Sequence, residues 1–532
     1  MQFSSSSQYP SIRLFRYVAF LVINVVGAEA SDRVIGEEVG YTSPNGAPER
    51  CVRITRMAGA KYHKGDAKDE EGYSEIDFYA INIALCPKTW STSPGMIIYD
   101  ISEGAYAGDR NGFESNACIE GKLAKAFAKD ELAVFKPSMN QPGTSATFSA
   151  SSLLYYHFSR FFDMEARVPV AVWRSMDRSM HLTRVARPGL SISQQNPGAK
   201  MNQEAWQILA DAGENPQIYV PTDDVYSADR GAIYGVLLSN KGSRYGSEVN
   251  GTRKSSWGTG QNMDFQETPA FLALRSAAPL QEAIVEGIEL GCRDPQIAED
   301  IGDSAAAVQM VYWMREISEI VLMDFIFSQQ DRVGNIDFEA YYYWEEDGKV
   351  ERKRTKSGEP GDGVVPEGAI LLKRTMLNDN DAGGRVEYAN FAKSTQMLEK
   401  LRHFYAGTYR QLIVLDADLQ AQGALFHYIR SSFGLDEAQV QQIVDNTSLA
   451  MGILRDSCRR GDLRFDLDPE KFFLEGDAGE EPVDCGESQP MSAPADPEIG
   501  IRPIGDGKSP AERHVETVAP PPIPAARTNG LE

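Results

Sequence analysis

The chain has 532 residues with 76 acidic against 53 basic side chains, a formal net charge of −23, and 42% hydrophobic and 24% charged residues. That balance is ordinary globular usage and excludes a collagen, a coiled coil, a multi-span membrane protein and a wholly disordered chain. Length allows roughly three domains and a large buried core. The acidic excess argues against nucleic acid as a partner, because neutralising phosphates needs clustered Lys and Arg.

Residues 1–30 read as an export signal. Arg13 and Arg16 precede a mostly apolar run from Tyr17 to Val26, and Ala28-Glu29-Ala30 offers small residues at the cleavage subsites. The run is too short to span a bilayer, and no later stretch is long and apolar enough for an integral membrane span. Export places the chain outside the cell, in a periplasm or in the secretory-pathway lumen. The cysteines agree: six, at 51, 86, 118, 292, 458 and 485, with no CxxC and no zinc-finger spacing. Cys51, Cys86 and Cys118 lie close in sequence, Cys458 and Cys485 bracket another short segment, and either disulfides or buried thiols satisfy this pattern.

Strand-like pieces follow at Cys51–Thr55 and Met96–Tyr99, and two apolar runs around Lys129-Asp130 suggest a hairpin over 122–137. Ser149 to Phe162 carries an apolar face suited to a helix. Residues 220–266, rich in Gly, Ser, Asn and Asp, suggest a long polar surface insertion. From about 303 a helix apolar nearly all round, the mark of a buried core helix, runs to Phe327 and stops at Ser328-Gln-Gln-Asp331. A second helical block spans about 395–430 and ends at Gly434. Asp436 with Gln439 then makes a capping box for a helix whose Val440, Val444, Thr447, Met451 and Leu454 recur at helical spacing. From Gly486 onward 47 residues hold nine prolines and no aromatic residue, the composition of a disordered tail. Asn250-Gly-Thr252 and Asn446-Thr-Ser448 are glycosylation sequons.

The chemistry begins with absences. There is no GxxxxGK[ST], GxSxG or HExxH, and the six histidines show no ligand spacing. Three ordered segments stand out instead. In Ala133-Val-Phe-Lys136-Pro137, a lysine ends a short apolar strand, where an ammonium can pair with nucleotide phosphates. In Asp331-Arg-Val-Gly-Asn335, an aspartate on a turn can accept the proton of an attacking hydroxyl, and the asparagine can ligate a divalent cation. In Met376-Leu-Asn-Asp379-Asn-Asp381-Ala-Gly-Gly384, Asp379 is a candidate metal ligand bridging phosphates. Strand lysine, catalytic-loop acid and metal acid, in that order, form the set of a kinase-like phosphotransferase.

The segments AVFKPSMNQ, LLYYHFSRFFDMEARVPV, ISEIVLMDFIFSQQDR and MLNDNDAGG resemble the secretory-pathway kinases typified by the Golgi casein kinase. In that family an FKPM-type strand precedes a helix leading into RVPP, and DxxxxNxDRH and DNG motifs follow. HipA toxin kinases and phosphatidylinositol kinases share a looser version. The similarity covers roughly residues 115–175 and 310–390. It implies an α+β, two-lobed atypical kinase fold: a small strand-rich N-lobe with its extension over 31–175, a mainly helical C-lobe over 176–475, and a tail over 476–532. It also implies ATP with Mn²⁺ or Mg²⁺ and an exported protein or glycan hydroxyl as acceptor. Lys136 would then bind nucleotide phosphate, Asp331 would act as catalytic base, Asp379 would hold metal, and Asn335 would serve metal and nucleotide. The chain departs from the family in four places. The helix after the lysine strand offers Ser152 or Leu153 where a glutamate is expected, with Glu165 further along. Gln329 replaces an asparagine, Val333 replaces a histidine, and Asn335 follows Asp331 by four residues rather than five. Those departures carry a second reading, a pseudokinase that binds or activates without turnover. A third is an exported binding protein in which all three motifs are loops. Gly104, Gly108 and Gly112 suit either a phosphate cover or ordinary turns.

Overall fold

The computed structural model describes residues 34–486 except 196–197, 240, 303–305 and 356–364. The export signal and most of the proline-rich tail lie outside the described residues. Strands β1 (Gly36–Thr42), β2 (Pro48–Ile54), β3 (Ile83–Pro87), β4 (Met96–Asp100), β5 (Asp130–Pro137), β6 (Ala171–Asp177) and β7 (Ala232–Leu238) form one antiparallel sheet in the order β1-β2-β6-β7-β5-β4-β3. Alternation along each strand sends side chains to two faces. Val52, Trp173 and Val236 pack on the helix Ser149–Phe161, while Leu85, Phe135 and Leu237 pack on Trp206 and Leu209 of the helix Lys200–Glu214. A second antiparallel sheet joins β9 (Asp337–Glu346) to β10 (Lys349–Thr355) on one side and β11 (Ile370–Met376) on the other, with β8 (Ser243–Arg244) beside the start of β9. The remainder after Ser247 is mainly helical, so the architecture is α+β with a strand-rich N-terminal sheet and a helical C-terminal region.

The axis of the helical region is the helix Ala307–Phe327, buried at 19 of its 21 positions. Its charged residues are paired within the core: Glu316 accepts from Arg374 Nε at 2.7 Å, Glu319 pairs with Arg315, and Asp324 pairs with Arg332. A buried charge is tolerated only in such company. The capping box at Asp436 and Gln439 is formed, and Val440, Thr447, Met451 and Leu454 are buried along the helix Glu437–Arg459. The helical block expected over 395–430 divides into Ala406–Gln420 and Ala424–Ser432. The break holds because the Asp418 carboxylate accepts from the backbone N–H groups of Leu425 and Phe426, capping the second helix.

Three expectations are corrected. Residues 220–266 are not a surface insertion: they contain β7, buried at all seven positions in the middle of the large sheet. Turn-forming flanks masked a short central strand, whose Gly235 leaves room for the Phe135 ring. The sheet therefore runs to Leu238, and a lobe boundary at 175 falls inside β6. The hairpin over 122–137 is half right. Its second limb is β5, but Cys118–Phe127 is two short 3₁₀ turns joined by a kink at Gly121 (φ 59°), with Cys118 and Ala124 buried. Finally, the sequon asparagines Asn250 and Asn446 are buried and donate their amides to the carbonyls of Tyr245 and Ile326, which closes them to glycosylation in the folded chain.

Cys86–Cys118 and Cys458–Cys485 are disulfide pairs, with Cys51 and Cys292 free. Among the described residues no helix is long and apolar enough to cross a membrane.

Two histidines are buried in neutral form, His157 near 3 and His181 near 4, both pushed down by burial. The unfolded chain takes up protons below about pH 6.5 that the folded chain refuses, so this stability is whole above that pH and is lost as pH falls. Each histidine should therefore contribute about 2 kcal/mol less stability at pH 5 than at pH 7, against the opposite trend of Glu319, whose pKa burial raises to about 7. In denaturant unfolding, His181→Leu should lose about 2 kcal/mol less than wild type between pH 7 and pH 5; identical pH dependence in the variant would exclude His181 as a source.

Candidate active site

Sheet register assembles the site. Asp337 pairs with Met376 across β9 and β11, and with Arg244 across β9 and β8. The turn 331–335 runs directly into β9, and the loop 377–384 leaves β11 directly after Met376. One row of the second sheet thus holds both loops and Arg244 together.

The turn starts where the long helix stops. Ser328 is left-handed (φ 53°), and Gln329 N–H closes back on the Asp324 carbonyl at 3.0 Å. The Asn335 amide donates to the Asp331 carbonyl at 2.9 Å and to Asp331 Oδ2 at 3.2 Å. The other carboxylate oxygen of Asp331 accepts Trp257 Nε1 at 3.1 Å. Trp257 is 59% exposed and stands edge-on to Phe391. Burial raises the Asp331 pKa, the Trp257 hydrogen bond opposes it, and the carboxylates of Asp379 and Asp381 add to the rise.

Lys136, at the end of β5, points across to the other loop. Its ammonium lies 2.9 Å from Asp379 Oδ1 and 3.3 Å from Asp381 Oδ2, with the side chain only 7% exposed. Burial by itself would lower Lys136, but the two aspartates hold it above its ordinary value. Burial likewise would raise Asp379, yet Lys136 and then Lys88 hold its carboxyl well below the usual range. Both partners are therefore charged. Arg244 closes the far side: Nη1 donates to Asn335 Oδ1 at 2.6 Å, Nη2 to Asp379 Oδ2 at 3.1 Å, and Nε lies 2.7 Å from Asp337 Oδ1. Beneath them the Arg332 guanidinium grips Asp324 at 2.9 Å and donates to the Asp379 carbonyl at 3.1 Å and Asn380 Oδ1 at 3.0 Å.

Lys136, Asp331, Asn335 and Asp379, read from three separate segments, are joined in one network: Lys136 and Arg244 both hold Asp379, and Arg244 holds Asn335, which holds Asp331. The helix glutamate does not join it. Ser152 keeps a buried hydroxyl with no hydrogen-bond partner, and Glu165 pairs with Arg374 instead. Asp381 takes over as the second anion on the lysine. The glycines at 104, 108 and 112 are no phosphate cover. They follow β4 at Asp100, which pairs with Asp130, so they sit at the opposite end of β5 from Lys136. The hairpin at the lysine's own end is 88–95, between β3 and β4. Sequence reasoning missed Asp381, Arg244, Trp257 and Lys88. Lys88 alone left a signal, since Ile83-Ala-Leu-Cys-Pro-Lys88 repeats the pattern of an apolar strand ending in lysine.

Among the described residues no three His, Cys, Asp or Glu side chains form a metal-holding group. The oxygens of Asp379, Asn335 and Asp337 nevertheless converge on one cation, the Arg244 guanidinium. Hard oxygen donors of this kind suit Mg²⁺ or Mn²⁺, which bind through one or two carboxylates with substrate phosphates completing the shell.

Compared with known proteins, the chain matches no family model and no curated protein.

Asp324→Ala strands the buried Arg332 charge and should cost about 3–5 kcal/mol in denaturant unfolding. Asp324→Ala with Arg332→Met should recover much of that loss; a double variant no more stable than the single would show that the pair is not the source.

Proposed function

We propose that the protein is an exported ATP-dependent kinase of atypical, two-lobed kinase-like architecture, transferring the γ-phosphate to a protein or glycan hydroxyl. The observation that carries this reading is the meeting of Lys136, Asp331 and Asp379 across chain separations of up to 243 residues. The two disulfide pairs suit an oxidising compartment.

In this reading the cleft between the end of β5 and the 379 loop takes the nucleotide phosphates, with Lys136 as their cation. Asp331 faces the acceptor hydroxyl. The hydroxyl oxygen bonds to the γ-phosphorus as the bond to the β,γ-bridging oxygen breaks, and its proton passes to Asp331 while ADP leaves. The raised pKa of Asp331 brings the base nearer to working pH. Trp257 and Asn335 fix the carboxylate in place so that no reorientation is needed during transfer. Asp379 and Asn335 would hold Mn²⁺ or Mg²⁺, which supplies neutralisation of phosphate charge when bound.

One observation favours the second reading, a pseudokinase. The Arg244 cation spans the oxygens of Asp379, Asn335 and Asp337 that a metal would need. A kinase must release it; a pseudokinase keeps it.

Transfer of labelled γ-phosphate from ATP with Mn²⁺, to protein or to water, separates the two. Asp331→Asn and Asp379→Asn should each lower transfer by at least about 100-fold with the fold intact, the scale of a lost acid–base group. Transfer unchanged in Asp331→Asn removes the assigned base, and no transfer in wild type moves the protein to the pseudokinase reading. Trp257→Phe should lower transfer several-fold while leaving ATP affinity unchanged.

A further inference from the structure

The row of the large sheet that carries Lys136 carries a second lysine. Pro87, Met96 and Phe135 are cross-strand partners on β3, β4 and β5. One step further, Lys88 N–H donates to the Gly95 carbonyl at 2.8 Å, and Gly95 packs beside the Phe135 carbonyl. Lys88, Gly95 and Lys136 thus form the next row. Directly opposed residues in antiparallel strands share a face. Counting back by two along each strand reaches Cys86, Ile97 and Val134, which pack together in one cluster and confirm that face.

The middle position of that row has no side chain. A Cβ at Gly95 would stand 3.9 Å from the Lys88 Cβ and 3.7 Å from Val134. The gap between the two lysines is therefore floored by backbone. Two strand spacings of about 4.8 Å separate their backbones, within reach of two adjacent phosphates.

The two ammonium groups differ in company. Lys136 has Asp379 and Asp381. Lys88 is 8% exposed, and no hydrogen bond or ion pair reaches its ammonium among the described residues. Among charges, Lys136 acts most strongly against it and Asp379 and Asp381 act in its favour, as its place in the same row as Lys136 requires. Burial and then Lys136 both push its pKa down. A buried, unpaired cation beside another cation is costly unless an anion completes it.

We propose that Lys88 and Lys136, with Gly95 as the open floor between them, form a two-lysine polyphosphate site in which Lys88 takes a phosphate that Lys136 does not reach. The 88–95 hairpin is its cover, and its sequence Lys88-Thr-Trp-Ser-Thr-Ser-Pro-Gly95 supplies hydroxyl donors for phosphate oxygens. The nucleotide identity of the ligand rests on the kinase reading above; the anion site itself does not.

The test is calorimetric binding of inorganic pyrophosphate and of ATP with Mg²⁺ to the full chain, wild type against Lys88→Met and Lys88→Arg, with melting temperatures measured without ligand. Lys88→Met should bind both ligands at least tenfold more weakly and melt higher than wild type, because it deletes an unpaired buried charge; Lys88→Arg should retain binding. A lysine with a merely structural role would lower the melting temperature on replacement. Unchanged affinity in Lys88→Met overturns the proposal and leaves the kinase reading standing. Pyrophosphate binding that depends on Lys88, with neither ATP binding nor transfer, supports the anion site and sinks the kinase reading. Wild type that binds neither ligand overturns both.

Discussion

The buried guanidinium of Arg332 is the constraint on which the cleft depends. It lies one residue beyond Asp331 and reaches back to Asp324 in the long helix, forward to the Asp379 carbonyl, and across to the Asn380 side chain. Tyr155, from the helix Ser149–Phe161, donates to the same Asp324 at 2.6 Å. Four segments far apart in sequence are thereby joined through one cation. In a dry interior such a group is stabilising only when every donor is answered, and that demand fixes loop positions to within a hydrogen-bond length. Asp331 and Asp379 owe their relative placement to a residue that itself does no chemistry.

Around that bolt the charges are arranged in tiers. The molecule is strongly acidic overall, yet Lys88, Lys136, Arg244 and Arg332 gather in or under one cleft. Asp379 is answered from both sides, by Lys136 and by Arg244. Every cation there is paired except Lys88. Asp331 is held by neutral donors, Trp257 and Asn335, and Lys88 is the one cation there with no ion pair among the described residues. Arg244 contributes differently: it holds oxygens of Asp337 on β9 and of Asn335 and Asp379 in the loops that flank it.

The core helices were readable from pattern. A helix apolar on all sides has only one stable environment, the interior, and Ala307–Phe327 occupies it. The capping box at Asp436 and the heptad-like burial after it form as their residue types require. Residues 232–238 were not readable, because a strand central to a sheet is recognised by its neighbours. AIYGVLL carries no alternation, and its polar flanks imitate a loop. Cys118–Phe127 escaped for a related reason: Cys118 and Ala124 are fixed by packing in one cluster with β3 and β4 residues, which a single segment does not display.

For the site, local sequence marked the candidate residues: Lys136 at a strand end, Asp331 and Asn335 on a turn, Asp379 in an acidic loop. Those identities depend on side-chain type and on neighbours within a few positions, which a chain displays by itself. Only the tertiary structure decided who answers whom. Asp381 stands in for a helix glutamate, Trp257 holds Asp331, Arg244 spans Asp379 and Asn335, and Lys88 is left alone. Each of these contacts crosses two or more elements, set by the register of β9 against β8 and β11 and of β3 and β4 against β5. Register is a property of paired strands, and a single strand's sequence contains only half of it.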